Sequence, residues 1–165
     1  MATATYVPLA TQTLGSATST ITFSSIPSGY TDLRVVLENI QAASGCLTYG
    51  RINGDSGSNY SYTSLYAQTN TPNTTNASNQ TYLNLVSAVG PLSSSPSFMS
   101  LDIFSYTSST YKTMLVNWAE DYNSGGVAEN NVQLWRNTSA ITSLSFFNSS
   151  SVNFLAGTTA TLWGI

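Results

Sequence analysis

Leu33-Arg34-Val35-Val36-Leu37-Glu38 alternates with a period of two: Leu33, Val35 and Leu37 share one face, and Arg34, Val36 and Glu38 the other. Successive side chains of a β-strand point to opposite sides, so this stretch predicts a strand with one face in a core. Met99-Ser100-Leu101-Asp102-Ile103 repeats the pattern, and Thr113-Met114-Leu115-Val116-Asn117-Trp118 puts Met114, Val116 and Trp118 together. Outward from these, runs of β-branched and aromatic residues recur at Thr20–Phe23, Leu47–Ile52, Tyr82–Val89, Val132–Trp135, Ile141–Phe147 and Ala160–Trp163. No interior segment carries apolar residues at i, i+3 and i+4, and the helix-favouring Ala, Leu, Glu and Lys are sparse. Eight or nine strands at this spacing in 165 residues predict one all-β antiparallel domain, a sandwich or a barrel.

The punctuation agrees. Ile26-Pro27-Ser28-Gly29-Tyr30 is a turn, with proline presetting φ and glycine free to go left-handed. Asn53-Gly54 directly follows a predicted strand and is a strong hairpin signal. Thr69 to Thr81 has one Pro and no large apolar residue, and reads as a long exposed loop. Gly90 to Pro96 and Asn123-Ser124-Gly125-Gly126 read as further loops. Neither a linker nor an internal repeat divides the chain.

Charged residues make up only 7% of the sequence, against about 25% in an ordinary soluble domain. In their place stand 27 Ser, 23 Thr and 15 Asn, with 12% aromatics. With no His, Ser-His-Asp triads, Cys-His dyads and His-ligated metals are excluded. A lone Cys46 excludes internal disulfides and Cys-cluster metal sites. Four scattered cations (Arg34, Arg51, Lys112, Arg136) do not suffice for a phosphate backbone, so no nucleic acid is expected as a partner. The opening Met-Ala-Thr-Ala-Thr-Tyr has neither the basic nor the apolar region of a signal peptide, and no apolar run reaches membrane-spanning length. The expectation is a product that stays in the cytosol where it is made and has no membrane partner.

Gly54-Asp55-Ser56-Gly57 has the look of a nucleophile's surroundings, but no His stands by as base and nothing in the sequence positions Lys112 for the role. Asn53 to Asn59 offers oxygens that suit Ca²⁺ but lacks the carboxylates of a calcium loop, so an ordered Asx turn is the expectation. Glu120 and Asp121 are neighbours on a strand and so face opposite ways, which rules them out as a glycosidase pair on their own. Tyr60, Tyr62 and Tyr66, with Trp118, Trp135 and Trp163, form either core and subunit-interface packing or a sugar-stacking platform, the first being the commoner use of such residues. Arg51 and Arg136 are expected in structural ion pairs. Residues 1–15 carry apolar anchors (Tyr6, Val7, Leu9, Leu14) with little alternation and read as an N-terminal arm that takes its order from a partner, ahead of a β-sandwich over 16–165. A surface this poor in charge points to burial against partner chains.

Four segments resemble a family of small structural proteins of tailed-bacteriophage virions. These are Tyr6-Val7-Pro8-Leu9 with Gln12-Thr13-Leu14-Gly15; Ile21 to Leu33; Arg51 to Ser61; and Leu134-Trp135-Arg136-Asn137-Thr138 with Ile141 to Leu144, closing on Leu162-Trp163-Gly164-Ile165. The resemblance runs the length of the chain and departs from the family at the Thr69–Thr81 loop and at Trp163, where tyrosine is more usual. It implies a jelly-roll-like β-sandwich that assembles as a homotrimer on a virus particle put together in the host cytoplasm. The expected role is a capsid decoration (cement) protein whose partner is the major capsid protein. It is expected to be non-enzymatic, with no cofactor and no metal. In that role Tyr6, Val7, Leu9 and Leu14 of the arm would contact the capsid or a neighbouring subunit, and Tyr60, Tyr62 and Tyr66 would touch a subunit or ligand. A tail-fibre or receptor-binding component contacting host glycans is the alternative.

Overall fold

Leu33, Val35 and Leu37 are fully buried, as are Met99, Leu101, Ile103, Met114, Val116 and Trp118, so all three alternating stretches present the predicted faces to one core. The computed structural model describes residues 5–88 and 90–165. In chain order the strands are β1 (Val7–Thr13), β2 (Thr20–Phe23), β3 (Leu33–Ile40), β4 (Thr48–Ile52), β5 (Tyr60–Gln68), β6 (Thr71–Gln80), β7 (Leu83–Asn84), β8 (Ser97–Ile103), β9 (Lys112–Asp121), β10 (Gly126–Trp135), β11 (Leu144–Asn148) and β12 (Thr159–Gly164). Every strand pairing is antiparallel.

The strands form an eight-stranded sheet, β1-β12-β3-β8-β9-β10-β5-β6, and a four-stranded sheet, β2-β11-β4-β7. Ile21, Phe23, Ile52, Leu144 and Phe146 of the small sheet are buried in the same cluster as the inward residues of the large one. The chain is therefore an all-β sandwich. With β5, β6, β9 and β10 set aside, the remaining eight strands have a double Greek-key order, β1-β12-β3-β8 opposite β2-β11-β4-β7, which is a jelly roll. The β5–β6 and β9–β10 hairpins widen one sheet by four strands and leave the other unchanged.

Twelve strands stand where eight or nine were expected, and each difference has a physical cause. Thr71–Gln80 is not a loop but the edge strand β6, paired with β5 through the two-residue turn Thr69-Asn70. Thr and Asn occupy both faces of β6, so it carries no hydrophobic alternation to read. The Asn53-Gly54 turn forms, with φ of 52° and 68° and Asp55 N–H donating to the Ile52 carbonyl at 2.9 Å. It does not close a hairpin, because β4 goes to the small sheet and β5 to the large one. Of Tyr82–Val89 only Leu83–Asn84 is a strand, and Val89 lies outside the described residues. The segment expected as an arm is, over Val7–Thr13, the edge strand β1, paired with β12. Leu9 and Leu14 pack against the core, and residues 1–4 lie outside the described residues.

The closing strand shows how tightly the layers meet. A Cβ placed on Gly164 would stand 2.5–2.7 Å from three ring carbons of Tyr30, nearer than two carbons can approach. Gly164→Ala is therefore expected to destabilise the fold by about 1–3 kcal/mol, read from urea unfolding. A Tyr30→Ala background is expected to remove most of that cost, and an equal cost in both backgrounds would contradict the contact.

Candidate functional site

The tyrosines expected at a ligand or subunit contact are not presented as one surface. Tyr60 is fully buried; its hydroxyl accepts from Ile52 N–H at 3.1 Å and donates to the Asp55 carbonyl at 3.0 Å. It anchors the β4–β5 connection from inside and is out of reach of any partner. Tyr62 and Tyr66 are half-buried on the same inward side of β5, with Tyr66 packed on the core. Trp118 and Trp135 are in the core, and only Trp163 among the tryptophans reaches the surface. Thus the six aromatics do not assemble a sugar platform. Of the N-terminal contact residues, Val7, Leu9 and Leu14 are half-buried. Tyr6 is exposed, its ring edge-on to Trp163 at 6.5 Å between centroids.

Asp55 organises the loop that carried the calcium and nucleophile readings. Its carboxylate accepts from Trp135 Nε1 at 2.8 Å, Asn59 Nδ2 at 2.9 Å and Gly57 N–H at 2.8 Å. Asn53 Oδ1 accepts from the backbone of Thr142 and Ser143 at 2.8 and 3.0 Å. These oxygens are engaged within the chain, as an Asx-type turn requires. Burial works to raise the Asp55 pKa, but the three donors outweigh it and hold the carboxyl below its ordinary value. Lys112 is fully buried, and Nζ donates to the carbonyls of Ser108 and Thr110 at 2.7 and 2.6 Å. Its ammonium closes a backbone loop and meets no serine hydroxyl, and burial lowers its pKa.

The neighbours Glu120 and Asp121 part as strand geometry demands: Glu120 is buried and Asp121 exposed. Burial raises the Glu120 pKa, opposed by the Leu92 N–H that its Oε1 accepts at 3.1 Å. Burial, with Glu120 nearby, pushes the Cys46 thiol up to about 11, leaving it un-ionised and unreactive at neutral pH. Arg51 and Arg136 do not form the expected ion pairs. Arg51 lies 4.9 Å over the Phe147 ring and Arg136 donates to the Ser58 carbonyl and Asn79 Oδ1. Among the described residues the one ion pair is Arg34–Asp102 at 3.5 Å, and no three His, Cys, Asp or Glu gather as metal ligands.

A buried polar cluster that the sequence reading missed holds the widened sheet. The inward positions of β10 include Glu129, Asn131 and Gln133, all buried. Glu129 accepts from Ser64 Oγ at 2.6 Å and from Ser87 N–H at 2.9 Å. Asn131 donates to the Asn84 carbonyl at 2.8 Å, and Gln133 donates to the same carbonyl. The polar alternation Glu129-Asn130-Asn131-Val132-Gln133 was its only trace in the sequence.

On the opposite side of the same strands, the outer face of the large sheet is uncovered. Across β9, β10 and β5 the register aligns Ala119, Ala128 and Ala67 in one row, Asn117, Asn130 and Leu65 in the next, and Leu115, Val132 and Thr63 in a third. Ala119 is opposite Phe98 of β8. Phe98, Val132 and Leu65 are 41%, 47% and 59% exposed. Small side chains between larger ones leave an open trough of about 500 Å³ walled by Leu65 and Pro72, with Ala67 and Ala128 beneath. Apart from Asp121 at a strand end, the outer positions of these strands are uncharged. No protein-family model, curated protein or solved structure matched the chain in comparison with known proteins.

Asp55→Asn tests the loop anchor. At neutral pH it is expected to cost about 1–2 kcal/mol, the worth of charge-assisted hydrogen bonds partly screened by water. A depressed carboxylate stabilises the fold fully above its unfolded pKa near 3.8, and that contribution is lost as the pH falls through the folded value. Unfolding curves of the two proteins should therefore converge in acid. A gap that stays constant with pH would show that the charge contributes nothing.

Proposed function

We propose that this chain is a non-enzymatic structural protein of a bacteriophage virion: a homotrimeric capsid decoration protein that binds across junctions of the major capsid protein and stabilises the head. The observation that carries the reading is the uncovered outer face of β9, β10, β5 and β6, uncharged apart from Asp121 at a strand end. Such a face is suited to burial against other protein chains, since nothing on it must be stripped of a tightly held hydration shell.

Magnitudes decide how it would work. Four or five strands about 4.8 Å apart, over about six residues each, present roughly 400 Å². A standard interface buries about 800 Å² per partner, so one copy alone docks weakly. Three linked copies convert later contacts into intramolecular ones and raise the avidity by orders of magnitude. A trimer spanning neighbouring capsid subunits ties them together against the pressure of packaged DNA by this multiplication, with no bond made or broken. The role and the trimeric state rest on the resemblance to phage virion proteins; the face supplies a surface on which that role operates.

The test is the copy number per purified virion, measured by quantitative mass spectrometry against the major capsid protein. A ratio near one to one is expected, and Leu65→Asp, an exposed substitution in the middle of the face, is expected to reduce it at least tenfold while the isolated protein stays folded. A few to a few tens of copies would move the protein to the tail. None at all would remove it from the particle.

A further inference from the structure

At the other end of the outer face, three strands and about 14 Å from β10, lies a depression of a different chemistry. Tyr6, Arg34, Val36, Glu38, Thr161 and Trp163 line about 310 Å³ of open space. Register sets these side by side: Trp163 pairs with Arg34 and Thr161 with Val36, while Glu38 is two residues further along β3. The Trp163 ring is half-exposed and braced edge-on by Tyr6. Arg34 is oriented by two contacts, Nε to Asp102 Oδ1 at 3.5 Å and Nη1 to Tyr6 Oη at 3.4 Å. Its Nη2 makes no hydrogen bond among the described residues, and the exposed Glu38 carboxylate has neither an ion pair nor a hydrogen bond among them.

We propose that this depression is a binding site for a neutral saccharide ring, such as a terminal hexopyranose of a cell-surface glycan. One face of a pyranose is a patch of C–H groups that packs on an indole, while its hydroxyls both donate and accept. The Glu38 carboxylate accepts hydrogen bonds from hydroxyls and Arg34 Nη2 donates to one, each with the extra strength of a charged partner. Arg34 and Glu38 offer a donor and an acceptor side by side, and a polyol, whose hydroxyls do both, engages the two together. The volume is at the small end for ligand clefts and holds one ring in an open groove. A single ring on one indole with few hydrogen bonds corresponds to millimolar affinity. The site stands independently of the capsid reading, because it uses none of the residues of the uncharged face.

Tryptophan fluorescence reads it directly, since Trp118 and Trp135 are buried and Trp163 is the one indole a ligand can touch. The probes are the methyl glycosides of glucose, galactose and mannose, and N-acetylglucosamine, each titrated to about 100 mM, well above the expected half-saturation. At least one is expected to change the emission saturably and to protect it from iodide quenching. By calorimetry with that sugar, Glu38→Gln, exposed and harmless to the fold, is expected to weaken binding about tenfold, and Trp163→Ala to abolish it. No saturable response to any of the four, a response unaffected by Glu38→Gln, or saturation by choline in place of the sugars would each overturn the proposal.

Discussion

Two buried carboxylates hold the part of this sandwich that has no second sheet to lean on. The large sheet is twice as wide as the small one, so the inner faces of β10, β5 and the end of β9 extend past β7 and need another cover. Irregular chain over residues 85–88 and 90–96 supplies it, with Leu85, Val86, Gly90 and Pro91 buried. Irregular backbone inside a protein must find hydrogen-bond partners outside a ladder. Glu129 takes the Ser87 N–H, Glu120 takes the Leu92 N–H, and Asn131 and Gln133 both donate to the Asn84 carbonyl. The β9–β10 hairpin thus carries on one side the groups that fix the covering segment, and on the other the face open to partners. The order of that face depends on the carboxylates beneath it.

This division explains where the few charges went. Of eleven charged residues only Glu38 and Asp121 are fully exposed. The others sit in the interior or at half-covered positions, where they complete turns and close loops, as Asp55, Lys112 and Glu129 do. Charge in this chain is spent on internal architecture, and Ser, Thr and Asn hydrate the outside.

Most of the strands were legible in the sequence, while the edge strand β1, the β5–β6 hairpin and most of β7's surroundings were not. Strands β2, β3, β8, β9 and β12 could be read because apolar residues recur at their inward positions with a period of two, although Val36, Phe98, Leu115 and Trp163 stand on the outer side. That pattern fails in the added hairpin β5–β6. Thr71 to Gln80 is polar on both faces, and its partner β5 hides Tyr60 in the core beside an exposed Leu65. Asn53-Gly54 was read correctly as a turn, but a turn fixes only its own backbone and not the sheet its flanks join. Period-two spacing puts Tyr60, Tyr62 and Tyr66 on one side of a strand without saying what that side meets; here it turns inward, with Tyr60 in the core and Tyr66 packed on it. The pairing of Tyr6 with Trp163 brings together residues from opposite ends of the sequence through the β1–β12 register, and no local pattern encodes that.

The open rims of the large sheet bear on how such a protein behaves at high concentration. A protein this poor in charge, with two exposed edges, β1 and β6, has none of the lysines that usually keep strand edges from joining, and would be prone to polymerise into fibrils. Each rim instead carries a proline, Pro8 in β1 and Pro72 in β6, and a register shift occurs beside each of these edge ladders. A proline has no N–H to offer an incoming strand, and an irregular ladder spoils the match. The small sheet ends in the four-residue β2 and the two-residue β7, too short to seed growth. Colloidal stability here is a property of backbone geometry, which salt does not screen, so it should be far less sensitive to ionic strength than in proteins kept apart by charge.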